Sequence, residues 1–169
     1  MLELYDSFLS SSDFIKCRTI IQNGTWRFTG QSVDQTPNKF WYMDLMQYIW
    51  IREELFNYIQ TKLNKRYELL RVYANGHTYG VNGDFHQDSS EDSDYTLLLY
   101  MNPWQQTDID RIGGYTFFKE SNNQILQCVE PLENRAVLFK ATQFHKGCAP
   151  NRECYDLRVT IAFKLRLIL

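Results

Sequence analysis

Tyr95-Thr96-Leu97-Leu98-Leu99-Tyr100-Met101, stopped by Asn102-Pro103, is the stretch that decides the fold. A short apolar run closed by a turn-forming dipeptide reads as a buried strand. Segments of similar texture surround it. Tyr67, Leu69, Arg71 and Tyr73 alternate with Glu68, Leu70 and Val72, and Gly114 to Phe118, Gln124 to Val129, Arg135 to Lys140 and Arg158 to Leu167 follow. Short strands with no helical pattern between them predict a sandwich or barrel rather than a parallel sheet. Asn75-Gly76 and Asn82-Gly83 read as punctuation of a loop, which would also hold His77.

The first third has a different texture. Ser11, Ser12 and Asp13 offer N-caps to a helix carrying Phe14, Cys17, Ile20 and Ile21, which Asn23-Gly24 stops. Trp26 and Phe28 alternate with polar residues and predict one short strand. Phe40, Met43, Leu45, Met46, Ile49 and Trp50, then Leu55, Phe56, Ile59 and Leu63, recur at three- and four-residue intervals. That spacing predicts a second helix whose stripe packs on a sheet. The stretch Trp26 to Trp41, with Gln31, Ser32 and Asp34, is either a lid or an ordinary loop.

Composition narrows the function classes. The chain has 169 residues, 44% of them hydrophobic and 15% aromatic, enough for one domain with a real core. The formal charge is −2 and the lysines and arginines are scattered, so no basic stripe favours nucleic acid. Cys17, Cys128, Cys148 and Cys154 form no C-x-x-C pair and predict free thiols. Met1 to Asp6 shows no basic region followed by an apolar run, and no stretch is long enough to span a membrane. An intracellular, cytoplasmic location is the expectation.

There are only three histidines. His86-Gln87-Asp88 places an imidazole and a carboxylate two residues apart, hence on one side of an extended chain. His145 lies 57 residues after Asp88, just past the strand ending at Lys140. Two imidazoles and one carboxylate can occupy one face of an octahedral iron and leave three positions open. A structural zinc site would more often take four protein ligands. Alone, H-x-D is a weak signal. Its polar-loop alternative places it beside Asp84, Glu91, Asp92 and Asp94 in a solvated turn.

The ordered set is more specific: His86 to Asp88, Asp94 to Asn102, Ile112 to Phe118, Asn134 to Lys140, Phe144 to Pro150 and Leu157 to Phe163. From Tyr67 to Leu165 it resembles the 2-oxoglutarate- and Fe(II)-dependent oxygenases, particularly the prolyl 4-hydroxylase-like branch. The resemblance implies a mostly β, α+β chain: a double-stranded β-helix (jelly roll) with N-terminal helices bracing one sheet. It would be one domain, with 1–66 as helical support and 67–169 as the core. It assigns His86, Asp88 and His145 to iron, and Arg158 to the distal carboxylate of 2-oxoglutarate. An arginine fork suits a carboxylate and keeps its proton when buried. Arg158 stands thirteen residues past His145, farther than usual for this branch, with Asn151-Arg152-Glu153 as the extra loop. Arg152 or Arg166 are the substitutes.

The resemblance also implies that Tyr100 touches the distal carboxylate and that Tyr73 or Tyr79 touches the proximal end, alternation favouring Tyr73. Gly113-Gly114 matches paired family glycines, although Tyr115-Thr116 departs from the Glu-Thr of many relatives. Fe(II), 2-oxoglutarate and O2, with ascorbate as a reductant, would serve hydroxylation of a peptidyl proline or other protein side chain, releasing succinate and CO2. The alternatives are an oxygenase acting on a nucleic-acid base or small metabolite, a cupin-type enzyme, and a non-enzymatic metal- or ligand-binding jelly roll.

Overall fold

The computed structural model describes residues 2–119 and 124–168. In chain order its elements are β1 (Leu2–Tyr5), α1 (Ser11–Asn23), β2 (Arg27–Gly30) and β3 (Phe40–Asp44), then a π-helical turn (Ile51–Leu55) running into α2 (Phe56–Leu63). There follow β4 (Tyr67–His77), β5 (Asp94–Tyr100), α3 (Ile109–Ile112), β6 (Thr116–Lys119), β7 (Ile125–Val129), β8 (Ala136–Lys140), β9 (Phe144–Gly147) and β10 (Arg158–Leu167). Seven strands form one antiparallel sheet in the order β1-β8-β5-β10-β4-β3-β2, and three form a second, β7-β6-β9. This is the mostly β jelly roll that the resemblance implies, and it agrees with the strand-rich texture of the sequence.

The large sheet has two unlike faces because strand side chains alternate. Val72 and Ala74 of β4, Leu97 and Leu99 of β5, and Val159, Ile161, Phe163 and Leu165 of β10 join Phe14, Cys17 and Ile21 of α1 and Ile59 of α2 in the main core. Their neighbours in sequence face the other way, toward the small sheet. Residues on that side include Leu98, Tyr100, Phe118, Val137, Phe139 and Ala162, which make a second, smaller cluster.

Several local expectations change. Phe40 to Asp44 is a strand, not the start of a helix, and the helical segment begins at Ile49. Phe40, Trp41 and Tyr42 are aromatic and suit a pleated surface, and Trp41 to Asp44 pair with Gly76 to Tyr73 of β4. Thus β1, β2 and β3, all within the first 66 residues, extend the large sheet, and that stretch is more than helical support. Asn75-Gly76 does not open a loop but continues β4 to His77. Leu157 packs so close over Gly76 that a Cβ there would lie 2.7 Å from its Cδ2. Helix α1 is capped by Ser10, one residue before the predicted caps, whose Oγ accepts from the Asp13 amide at 3.1 Å.

Candidate metal centre and adjoining cavity

His86 and His145 are brought together by their own backbones. Each amide donates to the other's carbonyl at 3.0 Å, an antiparallel bridge that puts the two rings 4.4 Å apart. The Asp88 amide donates to the Ala141 carbonyl at 2.8 Å, fixing the second half of the H-x-D segment against the turn before β9. His145 is held within β9 and does not merely follow a strand. One ligand atom from each of His86, Asp88 and His145 lies within 4.8 Å of the others.

The histidine tautomers follow from their partners. His86 Nδ1 lies 2.9 Å from the Asp84 carbonyl, and His145 Nδ1 lies 2.9 Å from the Gln143 carbonyl. A carbonyl only accepts, so each Nδ1 carries the proton and the Nε2 lone pair is free for a metal. Both Nε2 atoms face Asp88, at 3.3 Å from Oδ1 for His86 and 3.5 Å from Oδ2 for His145. Burial pushes the His145 imidazole down to about 4, with Asp88 opposing and His86 and Lys164 assisting. Burial alone would raise the Asp88 carboxyl, but Lys164, His145 and His86 hold it well below the usual carboxylate range. A neutral His145 imidazole, the His86 imidazole with its Nε2 turned to the same carboxylate, and an ionised Asp88 result, a donor set that fits a divalent iron.

Asp88 has a further set of partners. Thr96 Oγ1 donates to its Oδ2 at 2.6 Å, and Lys164 Nζ forms an ion pair with the same oxygen. Burial alone would lower the Lys164 ammonium, but Tyr73 and Asp88 raise it. Lys164 was not singled out as a site residue. Its signal was its even spacing from Arg158, which puts Thr160, Ala162 and Lys164 on one side of β10.

His86 and His145 border a cavity of about 330 Å³ between the sheets. At its other end Arg158 is 1% exposed; its Nε donates to the Gly114 carbonyl and its Nη2 to Thr116 Oγ1 at 2.9 Å. Gly114, at φ +76°, permits this approach, since a Cβ there would meet Arg158 Cδ at 3.2 Å. Burial lowers the guanidinium from its ordinary value, with partial relief from Tyr100 and Cys148. No carboxylate among the described residues pairs with it. A buried charge without a counter-ion is costly, so the end of the cavity suits an anion. Two more polar atoms at that end, Asn75 Oδ1 and His77 Nδ1, are buried with no hydrogen-bond partner.

The other predicted residues separate. Tyr73 lines the cavity, whereas Tyr79 is 63% exposed and borders a different depression together with Arg152. Tyr100 is not in the cavity wall. Its hydroxyl hydrogen-bonds Thr116 Oγ1 at 2.8 Å and its ring lies 5.5 Å from the Arg158 guanidinium, which it supports from behind. Arg166 is occupied by Asp94 at 2.8 Å, so neither substitute arginine reaches the cavity. The same pair buries Asp94, which is not in a solvated turn. His77 ends β4 in the cavity wall, its ring tilted against Phe40 at 4.8 Å between centroids, and is not a loop residue. Thr29 to Ser32 also line the cavity. The loop behind them is tied to Asp84, whose carboxylate accepts from Thr36 Oγ1 at 2.6 Å and Asn38 Nδ2 at 2.7 Å.

The family model of the 2OG-Fe(II) oxygenase superfamily matches residues 69–165, more than half of the 169-residue chain. The chain belongs to that superfamily. Similar solved structures include a prolyl hydroxylase from Trichoplax adhaerens in complex with a peptide fragment of the hypoxia inducible factor oxygen degradation domain. It is 17% identical with a TM-score of 0.70, over 98% of this chain and 83% of that one. The viral collagen prolyl hydroxylase of Paramecium Bursaria Chlorella virus-1, in a 2OG complex, is 16% identical with a TM-score of 0.64, over 99% and 96%. HygX from Streptomyces hygroscopicus, with nickel, 2-oxoglutarate and hygromycin B bound, is 12% identical with a TM-score of 0.70, over 98% and 82%. No curated protein matches the chain. No helix among the described residues is long and apolar enough to cross a membrane.

Proposed function

We propose that the protein is an Fe(II)- and 2-oxoglutarate-dependent hydroxylase acting on a peptidyl proline or another protein side chain. The observation that carries this reading is one cavity with two ends. His86 and His145, two of the three candidate metal ligands, border one, and a buried arginine without a carboxylate partner closes the other. His86, Asp88 and His145 would hold the iron through Nε2, a carboxylate oxygen and Nε2. Arg158, oriented by Gly114 and Thr116 and backed by Tyr100, would hold the distal carboxylate of the cosubstrate. Tyr73 stands in the wall between them.

When bound together, iron and 2-oxoglutarate supply oxygen activation, one atom of O2 entering succinate with loss of CO2 and the other a substrate C–H bond. The residues of the chain orient and shield. The Nδ1 hydrogen bonds fix both histidine rings, Thr96 and Lys164 hold Asp88, and Phe118 and Phe139 pack around His145. The prolyl hydroxylases among the similar structures support a protein side chain as acceptor.

Incubation with Fe(II), 2-oxoglutarate, ascorbate and proline-containing peptide libraries tests the reading. Oxygen-dependent succinate release with a gain of one oxygen on a peptide is expected. Metal and 2-oxoglutarate binding without succinate under any condition would instead make the chain a binding module.

A further inference from the structure

The cavity wall is more positive than its proposed cosubstrate needs. Arg71, Arg158 and Lys164 all line it, and no aspartate or glutamate does. The chain as a whole is acidic, at −2, so this is a local arrangement. Arg71 and Lys164 are direct partners in the β4–β10 register, their side chains on the cavity side of the sheet. Like charges directly opposite on one face destabilise a sheet. Both lie near the Tyr73 ring, the guanidinium 5.1 Å and the ammonium 5.6 Å from its centroid.

Among the described residues the two cations have one carboxylate between them, that of Asp88, and Arg71 is solvent-exposed. Arg71 has no carboxylate within ion-pair distance among the described residues. Lys164, 7% exposed, has Asp88 alone, and a divalent ion would compete for that same carboxylate. Arg158 and Lys164 are six residues apart on one strand, on the order of 20 Å between Cα atoms. A five-carbon dicarboxylate held by Arg158 would bring its one remaining carboxylate to the metal, a single charge against the two cations Arg71 and Lys164.

We propose that Arg71 and Lys164 form a second anion subsite that takes a carboxylate of the acceptor substrate, beside the aromatic wall of Tyr73 and Tyr42. The acceptor is then an acidic molecule, with its anionic group held next to the metal-binding side of the cavity. This rests on the proposed oxygenase function. The carboxylate can belong to an acidic residue of a peptide or to a free acid, and the two sources are separable.

Mn(II)-loaded protein saturated with 2-oxoglutarate is titrated calorimetrically with two pairs of probes. One pair is a blocked proline-containing tetrapeptide with glutamate or glutamine beside the proline. The other is N-acetylproline or its amide. The acidic member of at least one pair is expected to bind about tenfold or more tightly than its neutral twin, with the preference shrinking as salt is added. Which pair responds identifies the source. Arg71→Gln should reduce the preference to within about twofold, leaving 2-oxoglutarate affinity unchanged; Lys164→Met, folding checked by melting, should do the same to the preference. Equal binding within both pairs, no binding by either acidic probe at millimolar concentration, or a preference that survives both substitutions overturns the subsite. Failure of the wild-type protein to bind 2-oxoglutarate would instead sink the oxygenase reading, and the subsite with it.

Discussion

Along β10, Val159, Ile161, Phe163 and Leu165 face α1 and α2, while Arg158, Thr160, Ala162 and Lys164 face the cavity. The first set is apolar and buried among apolar neighbours. The second holds two cations, one small side chain and one hydroxyl, nearly as buried but aimed at space where other molecules fit. On the helix face a residue is constrained by volume and shape. On the cavity face it is constrained by charge and by what it must leave room for. The two-residue strand period lets one ten-residue segment meet both demands at once.

Substitutions on each face can break that division. The largest effect is expected at the proposed ligands: His86→Ala should reduce Fe(II)-dependent succinate release to the metal-free background, with the fold retained by circular dichroism. Normal release would remove His86 from the metal. Asp88→Ala should destabilise the metal-free protein by about 3–5 kcal/mol in urea, because Lys164 is left buried without its carboxylate. Adding Lys164→Met should recover most of that loss; no recovery would mean the ion pair is not what the polar face lacks.

On the opposite face, Phe163→Ala should cost a similar amount, about 3–5 kcal/mol, by opening a void in the main core. Its turnover per folded molecule should stay near the wild-type value, and a selective loss of turnover would blur the two faces. Arg158→Gln should weaken 2-oxoglutarate binding by roughly 10- to 100-fold, the scale of a charge-assisted hydrogen bond. Metal affinity should persist, and an unchanged cosubstrate affinity would reject the assignment.

The smallest effect concerns pH. Burial, assisted by Arg158, pushes His77 down to about 3, from an ordinary 6.5. Between those values the unfolded chain binds the proton and the folded one does not. Stability therefore falls as pH drops from 6.5 toward 3, by up to about 1.4 kcal/mol per pH unit for this group. His145, pushed down to about 4, acts with the same sign. In urea unfolding between pH 7 and 4.5, His77→Asn should flatten the slope by one proton's worth; an unaltered slope would show that His77 is not buried neutral.

Much of the site was legible because its residue types are rare in this chain and its chemistry restricts them. With three histidines and one H-x-D pair, the candidate ligands had few alternatives, and the even spacing from Arg158 already pointed down one side of a strand. Tyr100 and Tyr79 were harder. Alternation gives a face but not depth, and only the neighbours show that Tyr100 ends on Thr116 behind Arg158 and that Tyr79 lies outside the cavity. Phe40 to Asp44 was misread because apolar residues spaced by three continue into a true helical stripe, and periodicity cannot show where β4 offers a free edge.

The sequence by itself determined the strand-rich class, the helix α1, the ordered motifs of the superfamily and the identity of the candidate metal donors. These follow from local period, turn chemistry and residue type, which the chain carries at each position. Tertiary structure decided that His86 and His145 share a backbone bridge, that Arg71 stands opposite Lys164, and that His77 closes the cavity beside Arg158. Those facts depend on strand register between segments far apart in the chain, and register is settled by the packing of whole faces.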